Sequence, residues 1–465
     1  MSAPSGEDDL DIAQARRSLE DIMQDETALW TKITQVRLDE ILKIHADYVK
    51  GNLGGKLASF KFLDLSYLDL SGHNINQADF TGARCEYAVI QDTKLRAANF
   101  YAADLRFASL IASDLTRADL RGACLRGTDL TNADLTEADL RDGLLMKSVH
   151  GELLPVMTDT GTSEADHAIM RETNLTGARV SNAYVVQTDL SDAILKNARF
   201  MRADLSHANF TGAELDGCDF TEANLTGAIF RGAILTRTVL DNAKLDGANF
   251  TGAIVDSVHT KGLDNAVTRL PRHIAKLAGE LQTIIADHVR WLKTTGKHGR
   301  QANLSEVNLG GLDLSDVNLS AADLSYSILK NCDLRHGNFM MTDFSFADMR
   351  GCNLSNADLR GAKLQRTNLS GATIEGARFD TLPVGSGRGG SVAANLNLAK
   401  LRGAKLNGTD LSDANLEGAD LSKADLRNAD LRGAKLTGAD LTDALIDGAK
   451  LRAADLRGAR GVPTE

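Results

Sequence analysis

The chain has 465 residues, 43% of them hydrophobic but only 5% aromatic, with 41 Gly, 5 Pro and a formal net charge of −11. That length allows two or three domains, and the acidic balance disfavours nonspecific nucleic-acid binding through phosphates. No stretch approaches the roughly 18 apolar residues of a membrane span, and the acidic start MSAPSGEDDLD lacks a signal's apolar core.

In chain order, residues 1–9 are small, polar and acidic and are expected to be disordered. Over 10–52, Ala15, Leu19, Ile22, Leu29, Ile33, Val36, Ile41, His45 and Tyr48 follow helical spacing, ending near Gly51. A helical cap is expected here, because an uncovered solenoid end is a sheet edge. A dimerising or partner-binding helix is the other reading.

From 56 to 258 the period is five. Leu, Phe, Ile or another apolar residue recurs at every fifth position from Phe60 to Leu145 and again from Met170 to Val255. The position two before each centre is mostly Ala, Thr, Ser or Cys; the one just before is mostly Asp, Asn or Lys; the two after are polar or Gly. Five matches neither 3.6 nor 2, so no single helix or strand keeps the centres on one face. A chain that turns a corner at each repeat does, and its coils stack into a solenoid. Phe60, Phe80 and Phe100 are twenty apart, as are Phe210, Phe230 and Phe250, and Phe200 and Phe220. This points to four repeats per coil, although Phe220 and Phe230 are only ten apart. Between the two runs the pattern fails over 146–169, read as a loop excursion from one corner.

Helical spacing returns over 268–298, with Ile274, Leu277, Leu281, Ile284, Ile285, His288, Trp291 and Leu292, and with Pro271 suited to a first turn. This inter-module helix leads into a second solenoid, 302–459, whose centres run from Leu304 to Phe379 and from Leu396 to Leu456 around a loop excursion at 380–393. A short tail, 460–465, follows. The clearest stretch is ADLSKADLRNADLRGAKLTGADLTDALIDGAKLRAADLRGA, 419–459.

The A-[DN]-L-x-x pattern, in phase over four runs, resembles the pentapeptide-repeat family. The resemblance implies a mainly β fold: a right-handed quadrilateral β-helix, here with α-helical segments at the N-terminus and between two solenoid modules. It also implies coils about 4.8 Å apart. Some members of that family are similar to duplex DNA in size and charge and bind DNA gyrase.

LDEILKIHADYVKGNLGGKLASF and LQTIIADHVRWLKTTGKHGRQANL share a His, an aromatic three residues on, a Lys, a Gly-containing turn and entry into repeats. Leu154-Pro155-Val156 recurs as Leu382-Pro383-Val384. An internal duplication is expected, of helix, solenoid, LPV loop and solenoid.

Candidate sites are few. Gly385, Gly387 and Gly390 match a dinucleotide fingerprint without its strand–helix context. His150, Glu152, Asp159, Glu164, Asp166 and His167 gather metal-competent side chains in the first excursion without a recurring ligand spacing. The His45/Tyr48 and His288/Trp291 pairs fit helix packing. The many Asp residues fit turn chemistry, since Asp and Asn hydrogen-bond nearby backbone. All five Cys are expected to be reduced thiols, four packing inward, with Cys124 at an outward position. No catalytic, cofactor-binding or metal residue is expected.

The expectation is a cytoplasmic, non-catalytic protein–protein interaction scaffold with an unidentified protein partner. A DNA-mimicking modulator of gyrase is the alternative. The helical segments carry about −4 and about +5, which predicts their mutual binding in a homodimer or intrachain clamp. Direct nucleic-acid binding and a membrane span are not expected.

Overall fold

The computed structural model describes residues 30–143, 146–149, 152–155, 164–255, 272–273, 280–384 and 390–462. The expected N-terminal disorder, helical residues Ala15 to Leu29, Leu145, Pro271, Ile274 and Leu277 lie outside them. Two compact units form, one within Met1–Ala228, Leu235–Gly247 and Ser257–Ala266, the other within Ile229–Ile234, Ala248–Asp256 and Val267–Glu465.

Both units are mainly β solenoids. Parallel bridges join residues twenty apart, as in Ser59↔Asp79↔Asn99 and Asn303↔Asp323↔Asp343, so four repeats complete a coil. Centre amides donate to the next coil, as Leu105 N does to Cys124 O at 2.8 Å and Leu334 N to Asn353 O at 2.8 Å. The residue two after the centre takes positive φ, as at Asn132 (59°) and Gly371 (66°). Glycine and Asn reach that conformation most cheaply, which is why they recur there.

The interior is filled by the centres and the small residues two before them. Phe60, Phe80 and Phe100 are fully buried and stack at 4.6 and 4.4 Å. Phe230 and Phe250 stack at 4.6 Å in the other unit. Spacing by twenty therefore stacks rings, while Phe210 and Phe220, ten apart, meet edge-on at 5.8 Å.

In the first unit, strand β1 (Thr31–Lys32) and helix α1 (Gln35–Val49) lie over the first coil. β1 pairs in parallel with β2 (Leu63–Asp64). Thr34 caps α1, its hydroxyl accepting from Arg37 N at 3.4 Å. The buried face is Leu38, Leu42 and His45. The expected face differs: Val36 is 70% and Tyr48 46% exposed. Leu38, Leu42 and His45 stand at i, i+4 and i+7, a complete stripe that the Val36–Ile41–Tyr48 series crosses.

Strands β3 (Met146–Val149) and β4 (Glu152–Pro155) make an antiparallel hairpin where a loop was expected. The ladder resumes earlier than expected. Cys124 bridges to Glu164, and Ala165, 4% exposed, fills the centre position. The excursion thus ends before residue 164, not at 169. Ala is smaller than the Leu it replaces, and a void of about 10 Å³ remains beside Ala165, Leu125, Leu140 and Met170.

The second unit repeats the cap. Strand β5 (Arg272–His273) pairs in parallel with β6 (Val307–Asn308), and α2 (Leu281–Lys293) packs Leu281, Ile284 and Ile285 on the unit's own core. Its later excursion is also a hairpin, β7 (Leu382–Pro383) with β8 (Ser391–Val392). Leu382-Pro383 lies on the first strand of its hairpin and Leu154-Pro155 on the second of the other, so these motifs are not equivalent in place.

The caps themselves match closely. His45 Nδ1 accepts from Ala58 N at 3.0 Å, and His288 Nδ1 from Ala302 N at 3.0 Å. Lys56 N donates to Ile44 O at 3.3 Å, and Arg300 N to Asp287 O at 3.4 Å. Gly55 and Gly299 each lie against helix backbone, where a Cβ would collide with Tyr48 in one case and with Asp287 O and Trp291 N in the other.

Candidate interaction surface

The turns of the coil are closed by the residue just before each centre. Asp79 Oδ1 accepts from Thr81 N at 3.0 Å and from its hydroxyl at 2.6 Å. Where Arg follows the centre, it clamps the same carboxylate: Arg432 Nε and a terminal nitrogen reach Asp430 at 2.8 and 2.7 Å. The Arg432 hydrogen bond holds the Asp430 carboxyl down at about 2. Such local clamps, repeated at Arg106–Asp104, Arg360–Asp358 and Arg427–Asp425, neutralise charge within each turn.

The small inward position carries its own hydrogen bond when it is Thr, Ser or Cys. Thr128 Oγ1 donates to Leu105 O at 2.7 Å, and Cys352 Sγ to Leu329 O at 2.7 Å. All five cysteines are free and buried. Cys124, expected outward, is 2% exposed, its short side chain lying between the coils that carry Asp104 and Glu164. Burial pushes the Cys124 thiol up to about 11 and Cys85 and Cys218 further up. The thiolate is the reactive form. Because all five side chains are buried, Ellman's reagent is expected to label none of them in the folded protein and all five after denaturation, even though the Cys352 hydrogen bond lowers the pKa of the Cys332 thiol; rapid native labelling of any would contradict the packing.

The metal-competent residues are not brought together. Glu164 lies in the ladder and pairs with Arg126 at 2.8 Å. Asp166 accepts from Val186 N at 3.3 Å, and His167 occupies a left-handed turn. Glu152 is in β4, while His150 and Asp159 lie outside the described residues. Among the described residues no three His, Cys, Asp or Glu form a metal-sized group. Gly385 and Gly387 are also outside them, and the segment to Gly390 leads into β8, not a helix.

One surface feature was missed in the sequence. Tyr67, Tyr87 and Phe107 form an outward column, stacked at 5.1 and 5.1 Å and 73%, 42% and 46% exposed. All three occupy the positive-φ turn position, at 64°, 57° and 57°. Bulky residues are outliers there. Arg84–Glu86, Arg106–Asp104 and Arg126–Glu164 pairs border this unit's turns with matched charge. The spacing of twenty was visible, but the inward Phe series drew the reading.

The family model described as pentapeptide repeats (8 copies) matches residues 58–147, 186–255, 300–339, 342–380 and 394–460 in overlapping segments. The chain belongs to the pentapeptide-repeat family. Similar solved structures include full-length QnrB1, a plasmid-mediated fluoroquinolone resistance protein, at 13% identity over 61% of this chain and 94% of that one, TM-score 0.24. HetL, involved in heterocyst differentiation regulation in Nostoc sp. strain PCC 7120, is 22% identical over 90% and 98%, TM-score 0.15. Rfr23 from Cyanothece 51142 is 23% identical over 35% and 99%, TM-score 0.14. No curated protein matches the chain. No helix among the described residues is long and apolar enough to cross a membrane.

Proposed function

We propose that the protein is a non-catalytic scaffold of the cytoplasm, a right-handed, four-sided β-helix that docks a protein partner on its outer surface. The observation that carries this reading is the Tyr67–Tyr87–Phe107 column. An aromatic side chain in a left-handed turn is held at a conformational cost, and these three are exposed, so interior packing does not account for them. Rigid, half-exposed aromatics within a polar rim are the usual anchors of protein interfaces. The filled interior supports the same reading, since ligand pockets are concave spaces and these coils are packed. The helical segments of opposite charge are offered as a second, self-pairing surface between copies.

The full chain carrying Tyr67→Ser, Tyr87→Ser and Phe107→Ser is expected to fold as the wild type and to lose the partner that wild-type bait captures from native cells. Equal capture by both baits contradicts the reading. DNA mimicry calls for a continuous acidic face. Turn-by-turn clamps such as Arg335–Asp333 and Arg457–Asp455 interrupt one, so micromolar protein is expected to leave gyrase supercoiling unchanged.

A further inference from the structure

The ladder places one basic residue directly beside another at a single step among the described residues, Arg179↔Arg199. Like charges opposite one another on neighbouring strands repel. At the many Asp–Asp steps this cost is offset by hydrogen bonds from the turn two residues on, as Asp129 accepts from Thr131 N at 3.0 Å. Arginine has no acceptor, so it cannot take a hydrogen bond from the turn's N–H.

Arg179 and Arg199 line a surface concavity of about 340 Å³ together with Arg141, Arg202, Ser181, Asn182 and Met201. Within it stand four arginines. Arg141 is clamped bidentate on Asp139 at 2.9 and 2.7 Å, and Arg179 lies 3.8 Å from the same carboxylate. Arg202 Nε donates to Asn182 Oδ1 at 3.1 Å. Asp139 thus serves two of the four arginines, on a chain whose net charge is −11. Asp219, the ladder neighbour on Arg199's other side, directs Oδ1 to Thr221 N and Oγ1 at 2.9 and 2.6 Å.

We propose that this concavity is a binding site for a small phosphorylated ligand carrying at least two negative charges. Guanidinium forks match phosphoryl oxygens, and arginines on successive coils reach a tetrahedral oxyanion from several directions. A bound dianion would turn the Arg179–Arg199 repulsion into a bridge. The site stands on a different column of the coils from the aromatic ridge, so its occupancy is independent of that proposal.

Pyrophosphate is the probe, used with the full chain in calorimetry and thermal melting, with sodium chloride matched for ionic strength. Pyrophosphate is expected to raise Tm above the salt control. The Arg179→Gln/Arg199→Gln variant is expected to bind it at least tenfold more weakly, each lost charge-assisted bond being a substantial part of the affinity. Without anion, that variant is expected to melt no lower than wild type, because a repulsive contact has gone. Arg117→Gln, remote and paired with Glu137, is expected to bind as wild type. Equal stabilisation by chloride, undiminished binding by the double variant, tighter binding of citrate than of pyrophosphate, or a lower Tm of the anion-free double variant would each overturn the assignment.

Discussion

Phe80→Ala is expected to lower stability by about 3–5 kcal/mol, the range for emptying a buried aromatic site. The ring is fully buried and sandwiched between Phe60 and Phe100. Its neighbours have little freedom to collapse into the gap. The backbone on each side is held by the ladder, Phe80 N to Asn99 O at 2.7 Å and Asp79 N to Ala58 O at 3.1 Å. In a solenoid each coil touches only its neighbours, so the loss weakens two interfaces at once. Urea unfolding is the measurement, with the midpoint falling and the slope unchanged. Tyr87→Ala, in the exposed column, is expected to change stability by no more than about 1 kcal/mol, since exposed substitutions seldom do. Similar costs for the two variants would mean that inside and outside have been assigned wrongly.

The second large effect is acid loosening of the caps. His45 and His288 are fully buried, and each Nδ1 accepts a backbone N–H. The neutral ring therefore carries its proton on Nε2, which has no hydrogen-bond partner at His45 and lies toward the Ser320 backbone at His288. Protonating Nδ1 would set two donors against each other. Burial lowers both pKa values below the ordinary histidine range, with the Ser320 backbone acting in the opposite direction at His288. The unfolded chain thus takes up protons first as pH falls below about 6.5. Cap stability is complete above that value and declines below it, toward the depressed folded pKa. The clamped carboxyls of Asp358, Asp425 and Asp430 add nothing in this window: hydrogen bonds from their arginines help hold them low, so their contribution is lost only below the unfolded value of about 3.9. Thermal melts from pH 7.5 to 5 are expected to show a falling Tm in the wild type and a flatter profile in His45→Gln/His288→Gln. At neutral pH the double variant should itself be weakened by about 1–3 kcal/mol per site, through the unsatisfied Ala58 and Ala302 amides. A wild-type Tm that rises on acidification would contradict the tautomer assignment.

Much of the interior was legible because a period of five with Phe at twenty leaves few ways to bury Leu, Ala and Phe together. The restart at Ala165 was not, since Ala is also the residue of the smaller inward position, and counting large centres passes over it. Helix α1 offered two apolar series, and only docking selects Leu38–Leu42–His45. The hairpins escaped because four-residue strands such as Met146–Val149 show no alternation long enough to read. Gly55 with Ala58, and Gly299 with Ala302, look like ordinary loop residues until the helix backbone lies against them. The His-plus-aromatic repeat was visible, and its partners were the part hidden. Tyr67, Tyr87 and Phe107, like Arg179 and Arg199, did carry the twenty-residue spacing. They stand at outward positions, where a periodic core offers no reason to look.

Hydrogen exchange across the second hairpin tests the stacked, closed interior most directly. Leu354 and Leu359 donate to Thr373 and Arg378 at 2.7 and 2.8 Å. Leu364 and Leu369 donate across the β7–β8 excursion to Asn395 and Lys400 at 2.7 and 2.7 Å. All four amides are expected to exchange equally slowly, as one block with the coils on either side. Open-chain exchange at Leu364 and Leu369, beside protected Leu354 and Leu359, would show that the coils do not close over the excursion and would contradict the account.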